Sequence, residues 1–230
     1  MLPLPQVPGL RGDRDDARAA AGGRVSDPVP TPVVTETETL LRSHLFDVVR
    51  LEVRYDGEPP VSRDLVRHSG AVAMVALDEE RRWLLVRQFR YATGCAMLEI
   101  PAGKLEPGES PAATAARELR EETGYAASAL EPLGGSWMAP GFCDEYMHFF
   151  LATGLRYDPL PPDADERLSE PLAFTLEQLE AAIDGGEIRD AKTLVAVTLW
   201  RRHSARAGQA QAGGLTLRRA RRIVTTRPRG

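Results

Sequence analysis

Three glutamates at helical spacing, Glu118, Glu121 and Glu122, stand beside Arg117 near the middle of this 230-residue chain, and a fourth, Glu109, precedes Arg117 by eight residues. Residues three and four apart share one side of a helix, so Glu118 can converge with Glu121 and with Glu122. Like charges at those spacings repel, and only Arg117, four residues before Glu121, is placed to offset them. The three also fall in the last two turns of the helix that Ser110 and Pro111 open, where the helix dipole disfavours anions. A choice that costs local stability tends to mark a functional site. Converging carboxylate oxygens are the ligands that Mg2+ or Mn2+ takes.

The helix that must present them has clear ends. Ser110 is a candidate N-cap, Pro111 suits the first helical position, and Gly124 suits the C-terminal cap of a helix over Ser110–Thr123. Upstream, Leu45–Tyr55 alternates like a half-buried strand, Asp56-Gly57 is a hairpin turn signal, and Val61–His68 would be its partner. Ala71–Leu77 and Trp83–Phe89 are apolar runs separated by polar Asp78–Arg82 and read as neighbouring strands of a buried sheet. Further strands are expected at Ser128–Trp137 and Tyr146–Thr153, with a Pro- and Asp-rich loop over Leu155–Ser169. Thr175-Leu-Glu-Gln178 has the pattern of a capping box opening a helix to Ile183, and Asp190–Arg202 follows as an amphipathic helix. Strands and helices alternate, which points to an α/β layered fold.

The stretch from Gly103 to Tyr125 resembles the Nudix hydrolase box, G-x5-E-x7-R-E-U-x-E-E-x-G-U. Gly103, Glu109, Arg117, Glu118, Leu119, Glu121, Glu122 and Gly124 fill its fixed positions, and Tyr125 departs mildly from the usual aliphatic residue. An isolated E-x-x-E-E would be read as a solvated acidic face; the complete pattern argues otherwise. The resemblance implies a Nudix-type α/β/α sandwich with a mixed β-sheet, preceded by a small N-terminal antiparallel sheet. It also implies hydrolysis of a nucleoside diphosphate linked to another moiety. By the same resemblance Glu118 and Glu122 hold the metal, Glu121 assists, the Ala102 carbonyl completes the shell, Glu109 approaches from the loop, and Arg117 orients the carboxylates.

Residues outside the box narrow the branch. Leu98-Glu-Ile-Pro-Ala-Gly103 leads into it, and Pro140 lies 15 residues beyond Tyr125 in Ala139-Pro-Gly-Phe-Cys-Asp-Glu145. That proline, with Gly141, Phe142 and the acidic pair after them, is similar to the ADP-ribose pyrophosphatase branch, although Pro-Gly is also an ordinary turn. In such relatives the second arginine of a V-x-Q-x-R segment contacts phosphate. In Val86–Arg90 that is Arg90, with Arg87 on the other face of a strand as the weaker candidate. Glu99 joins the substrate-binding set. The resemblance also implies a general base on a late loop: Glu166 in Asp163–Glu170 is the candidate, with Glu145 or a water activated within the box as competitors. The implied reaction releases AMP and ribose 5-phosphate from ADP-ribose, or the sugar phosphate from a close ADP-sugar, with Mg2+ (Mn2+ as a possible substitute). The alternatives are hydrolysis of another nucleotide sugar such as GDP-mannose and a non-catalytic Nudix-like ligand sensor. Against a sensor stand the intact glutamates and the lack of a helix-turn-helix pattern.

The chain as a whole agrees. Its 29 basic and 33 acidic side chains give −4. Residues 1–35 balance four Arg against four Asp, residues 205–230 hold seven Arg and no acid, and residues 36–204 therefore carry −11. An acidic centre is a poor phosphate binder unless cations screen it. Residues 1–35 lack apolar periodicity and are expected to be a disordered extension, 36–204 the Nudix domain, and 205–230 a basic disordered tail. Within the domain, strands over 36–68 are expected to form a homodimer by the branch resemblance. Arg218–Arg222 could bind nucleic acid, but without interleaved aromatics a solvated tail is the reading here. Two cysteines, Cys95 and Cys143, are too few for a disulfide framework, and no apolar run is long enough to span a bilayer. The expectation is a cytoplasmic enzyme without membrane partners. His148 is read as a sheet residue, the three tryptophans as core or dimer contacts, and Tyr55, Tyr91 or Phe142 as possible stacking partners for an adenine.

Overall fold

A computed structural model describes residues 29–161 and 167–223, with side chains described to residue 207. Most of the expected N-terminal extension, the end of the basic tail and Glu166 lie outside the described residues. Ten strands and three helices are present among them: β1 Val33–Arg42, β2 Asp47–Arg54, β3 Val61–Arg67, β4 Ala71–Ala76, β5 Trp83–Arg90, β6 Cys95–Glu99, β7 Ala102–Lys104, α1 Pro111–Thr123, β8 Tyr125–Trp137, β9 Tyr146–Tyr157, β10 Leu172–Phe174, α2 Leu176–Asp184 and α3 Ala191–Ile223.

The central sheet has the order β7-β4-β9-β8, with β4 parallel to β9 and the other pairs antiparallel. Period-two alternation explains why β4 is apolar throughout: it is covered on both faces. Val72, Met74 and Ala76, with Phe150 and Ala152 of β9, pack against Ala115 and Leu119 of α1. Ala73 and Val75, with Met147, Phe149 and Leu151, pack against Leu179 and Ala182 of α2 and Ala196 and Val197 of α3. The result is an α/β/α sandwich around a mixed sheet.

The expectation that Ala71–Leu77 and Trp83–Phe89 pair as neighbours differs from what forms. They meet only at the Leu77–Trp83 bridge, after which β5 leaves to form a second sheet of order β10-β5-β6. The turn between them closes through Asp78, whose Oδ1 accepts from Arg82 N at 2.8 Å, and it carries Arg81 at φ 60°. An apolar run demands cover on both faces but does not say which sheet supplies it. The second sheet lends Trp83, Leu85 and Leu98 to the core shared with α2 and α3.

The N-terminal hairpin forms as read, extended by β1 into a three-stranded antiparallel sheet β1-β2-β3 with a small core of Val49, Leu51, Val53 and Leu65. Both capping-box bonds of Thr175 and Gln178 are present. α3 continues to Ile223, past Ser204 where the sequence reading placed the domain end. The Ala, Arg, Gln and Leu content of that stretch favours helix, without an apolar stripe that the sequence could reveal.

Candidate active site

Strand β7 and helix α1 build the site. Ser110 caps α1 with its Oγ accepting from Ala113 N at 3.2 Å, and Gly124 ends it in the left-handed conformation at φ 77°, its N–H bonded to Arg120 O. With Ala115 and Leu119 directed into the core, Glu118 and Glu122 fall on the adjoining stripe, 7% and 6% exposed, facing β7. Glu122 Oε2 accepts from Ala102 N at 2.8 Å. The Glu118 carboxylate lies over Gly103 so closely that a Cβ there would come within 2.3 Å of all three carboxylate atoms. The glycine at the start of the box is therefore required for space, a close approach that no side chain permits.

Arg117 joins the acidic residues. Its Nη1 donates to Glu118 Oε1 at 2.8 Å and to Glu121 Oε2 at 2.7 Å, while Nε and Nη2 reach the two oxygens of Glu109 at 3.2 and 3.1 Å. Glu109 also accepts from Thr114 Oγ1 at 2.9 Å. The hydrogen bonds from Arg117 outweigh burial and hold the Glu109 carboxyl below the ordinary glutamate range. In return, the hydrogen bond to Glu109, together with Glu118 and Glu121, raises the Arg117 guanidinium against the opposing effect of burial.

Three carboxylates thus surround one guanidinium and a fourth, Glu122, lies on the backbone of β7, an excess of negative charge on hard oxygen donors that suits a divalent cation. Among the described residues no three acidic, histidine or cysteine side chains already converge at metal-ligand geometry. Oxygens of Glu118 and Glu121 turn to Arg117, and one of Glu122 turns to Ala102 N. The residues fit the ion in charge and chemistry: α1 gathers Glu118, Glu121 and Glu122 against β7 as hard oxygen donors with one guanidinium among them.

Arg90 and Glu99 lie behind this group on the β5–β6 pair. Arg90 Nε and Nη2 grip the Glu99 carboxylate at 2.9 and 2.6 Å. Glu99 is 2% exposed, and its second partner is the ammonium of buried Lys192 on the first turn of α3. Burial alone would push Glu99 up, but the bonds from Arg90 and the charge and bond of Lys192 more than offset it and hold the carboxyl below its ordinary value. Lys192 also pairs with Asp190 Oδ1 at 3.1 Å, Asp190 Oδ2 caps α3 through Thr193, and Thr193 Oγ1 accepts from Ile100 N at 3.1 Å. None of Asp190, Lys192 and Thr193 was singled out from sequence. The available signal was a lysine, one of two in the chain, at the start of an apolar helix.

Arg87 stands on the opposite face of β5 from Arg90, with Nη2 on Glu187 Oε1 at 2.9 Å. Pro140, Gly141 and Phe142 form a turn closed by Met138 N to Glu145 O, with Phe142 exposed. The turn is tied to β3: Asp144 accepts from Arg67 Nη1 and His68 N, both at 2.7 Å, and Val66 N donates to Phe142 O. Beyond the undescribed residues 162–166, Leu168 bridges Gln88 and Ser169 N bonds Arg87 O, so the chain after Glu166 is fixed on β5. His148 sits in β9 opposite Val72 with its ring against Tyr146, and Trp83 is core, edge-on to Trp200. Tyr91 is 89% exposed, beside Phe89.

Comparison with known proteins bears on the same region. The NUDIX domain family matches residues 67–196. An ADP-ribose pyrophosphatase of Bacillus subtilis (strain 168) is 38% identical over 168 residues, covering 70% of this chain and 91% of its own. One from Mycobacterium tuberculosis is 46% identical over 121 residues, covering 52% of this chain and 58% of its own. Among solved structures, an ADP compounds hydrolase superposes with a TM-score of 0.70 at 25% identity, covering 80% of this chain and 99% of that one.

Proposed function

The chain belongs to the NUDIX family, and from that premise we propose that it is a Mg2+-dependent pyrophosphatase that hydrolyses ADP-ribose, or a close ADP-sugar, to AMP and the sugar phosphate. The observation that carries the reading is the acidic group gathered on Arg117 and β7, in a chain similar over most of its length to named ADP-ribose pyrophosphatases.

Glu118 and Glu122, with Glu121 and the Ala102 carbonyl, would hold the cation, and Glu109 supports them through Arg117. When bound, Mg2+ neutralises the diphosphate and lowers the pKa of water. The chain's own residues do the rest. Arg117 keeps Glu118 and Glu121 from swinging apart. Arg90, clamped through Nε and Nη2, carries no hydrogen bond on Nη1 among the described residues and offers that edge to a phosphate oxygen. Arg87, engaged by Glu187, has the weaker claim. Glu99 acts by fixing Arg90. Pro140, Gly141 and exposed Phe142 border the substrate, and Glu166 is the proposed base.

A homodimer is part of the proposal. β1 exposes Val33, Val34, Leu40 and Leu41, and the turn after it exposes Leu45 and Phe46, a run of apolar surface that a second copy would cover. No helix among the described residues is long and apolar enough to cross a membrane, and we place the enzyme in the cytoplasm, with no nucleic-acid partner.

The test is a substrate panel of ADP-ribose, GDP-mannose, NADH, diadenosine polyphosphates and 8-oxo-dGTP with Mg2+. ADP-ribose is expected to give the highest kcat/KM. Preference for GDP-mannose would keep the chemistry and reject the ADP-sugar branch; no turnover at all would reject the enzyme.

A further inference from the structure

We propose that Lys192 is a positioning residue that keeps Arg90 available to the substrate's diphosphate by balancing the buried charge of Glu99 and Asp190; this rests on the reading of the chain as a nucleoside diphosphate hydrolase. Four charged groups form one cluster: Arg90 and Lys192 on one side, Glu99 and Asp190 on the other. Glu99 and Lys192 are 2% and 6% exposed, so their charges are poorly screened by solvent. Arg90 alone of the four reaches substantially into solvent, with 39% of its side chain exposed.

With Lys192 in place the cluster is neutral, and the guanidinium can add a phosphate oxygen without abandoning Glu99. With Lys192 removed, two carboxylates face one guanidinium. The positive charge of Arg90 is then spent on its neighbours, and the site in front of it becomes repulsive to an anion. Three links make the effect local. Glu99 is three residues before Ala102, Ile100 N bonds Thr193 Oγ1 on the same turn of α3, and Glu122 reaches Ala102 N. The first turn of α3 thereby holds both the arginine and the backbone that leads into the acidic group.

The test compares Lys192→Met with the charge-balanced double variant Asp190→Asn/Lys192→Met, in which asparagine still caps α3 and the Arg90–Glu99 pair remains. Both are assayed with whichever panel compound the wild-type enzyme hydrolyses fastest, so an error in the substrate assignment does not register as an error about Lys192. Lys192→Met is expected to raise KM about 10- to 100-fold with a much smaller change in kcat, as expected for lost binding of a charged group. The double variant is expected to return KM to within about threefold of wild type. An unchanged KM in Lys192→Met overturns the proposal, and so does a KM raised equally in both variants, which would show a packing role alone. If Lys192→Met does not fold, Lys192→Gln takes its place as the unbalanced variant against Asp190→Asn/Lys192→Gln: KM raised in the single and restored in the double supports charge balance, and KM unchanged in the single or raised equally in both overturns it.

Discussion

At Gly103 one hydrogen atom decides the geometry of the site. The Glu118 carboxylate occupies the place a Cβ would take, so Gly103→Ala must displace that carboxylate. A displacement of about 1 Å in a catalytic group can cost roughly 10²-fold; the variant should fold with near-native circular dichroism yet lose kcat/KM by about that factor, and retention of full activity would contradict the close approach. Glu99 makes a prediction about pH. Its folded value lies below the ordinary one of about 4.3, so the stability it contributes is complete above that pH and is lost as pH falls through the folded value. Urea unfolding between pH 6 and pH 3 should therefore show wild type losing stability on acidification more steeply than Glu99→Gln, and parallel curves would contradict the pairing. The convergence of Glu118, Glu121 and Glu122 beside Arg117 was legible because spacing within one helix fixes neighbours, whereas Glu109 and Ala102 came from the resemblance to the Nudix box. The Glu99–Lys192 pair was not legible, since its members are 93 residues apart and meet only when α3 packs against β6.

Among the elements, α1 and α2 were readable end to end, since caps are local chemistry: Ser110, Pro111, Gly124 and the Thr175–Gln178 box each do what their residue types favour. The pairing of β4 and β5 was not readable, because burial on both faces is common to strands of either sheet. The proposed base, Glu166, falls in sequence between β9 and β10, outside the described residues. The chain after it is fixed by the Gln88–Leu168 bridge and by Ser169 on Arg87, next to the strand that carries Arg90. Glu166→Gln should lower kcat by roughly 10²–10⁴ while leaving KM within a small factor, as removal of a general base does. A near-normal kcat would move the role to Glu145 or to water activated within the acidic group.

For the whole molecule, the total of −4 conceals a centre of −11, and the structure places three of its glutamates around Arg117. The second whole-molecule feature is the β1-β2-β3 sheet, held to the rest by Lys104 Nζ on His44 O at 2.7 Å and by the Asp144 contacts of β3. Sedimentation should give twice the 25.2 kDa chain mass, and Leu41→Asp should shift the protein toward monomer; a monomeric wild type would contradict the proposed dimer. The β2–β3 hairpin was legible from alternation and the Asp56-Gly57 turn, whereas β1 was not read as a strand and the attachment to the Pro140 turn depended on contacts that no local pattern encodes. The central claim, cation-assisted hydrolysis by the α1 glutamates, is tested most directly by the products of ADP-ribose with Mg2+ for wild type and Glu122→Gln. Wild type should release AMP and ribose 5-phosphate, with kcat in the variant reduced by at least about 10²-fold; wild-type turnover by Glu122→Gln would contradict the claim.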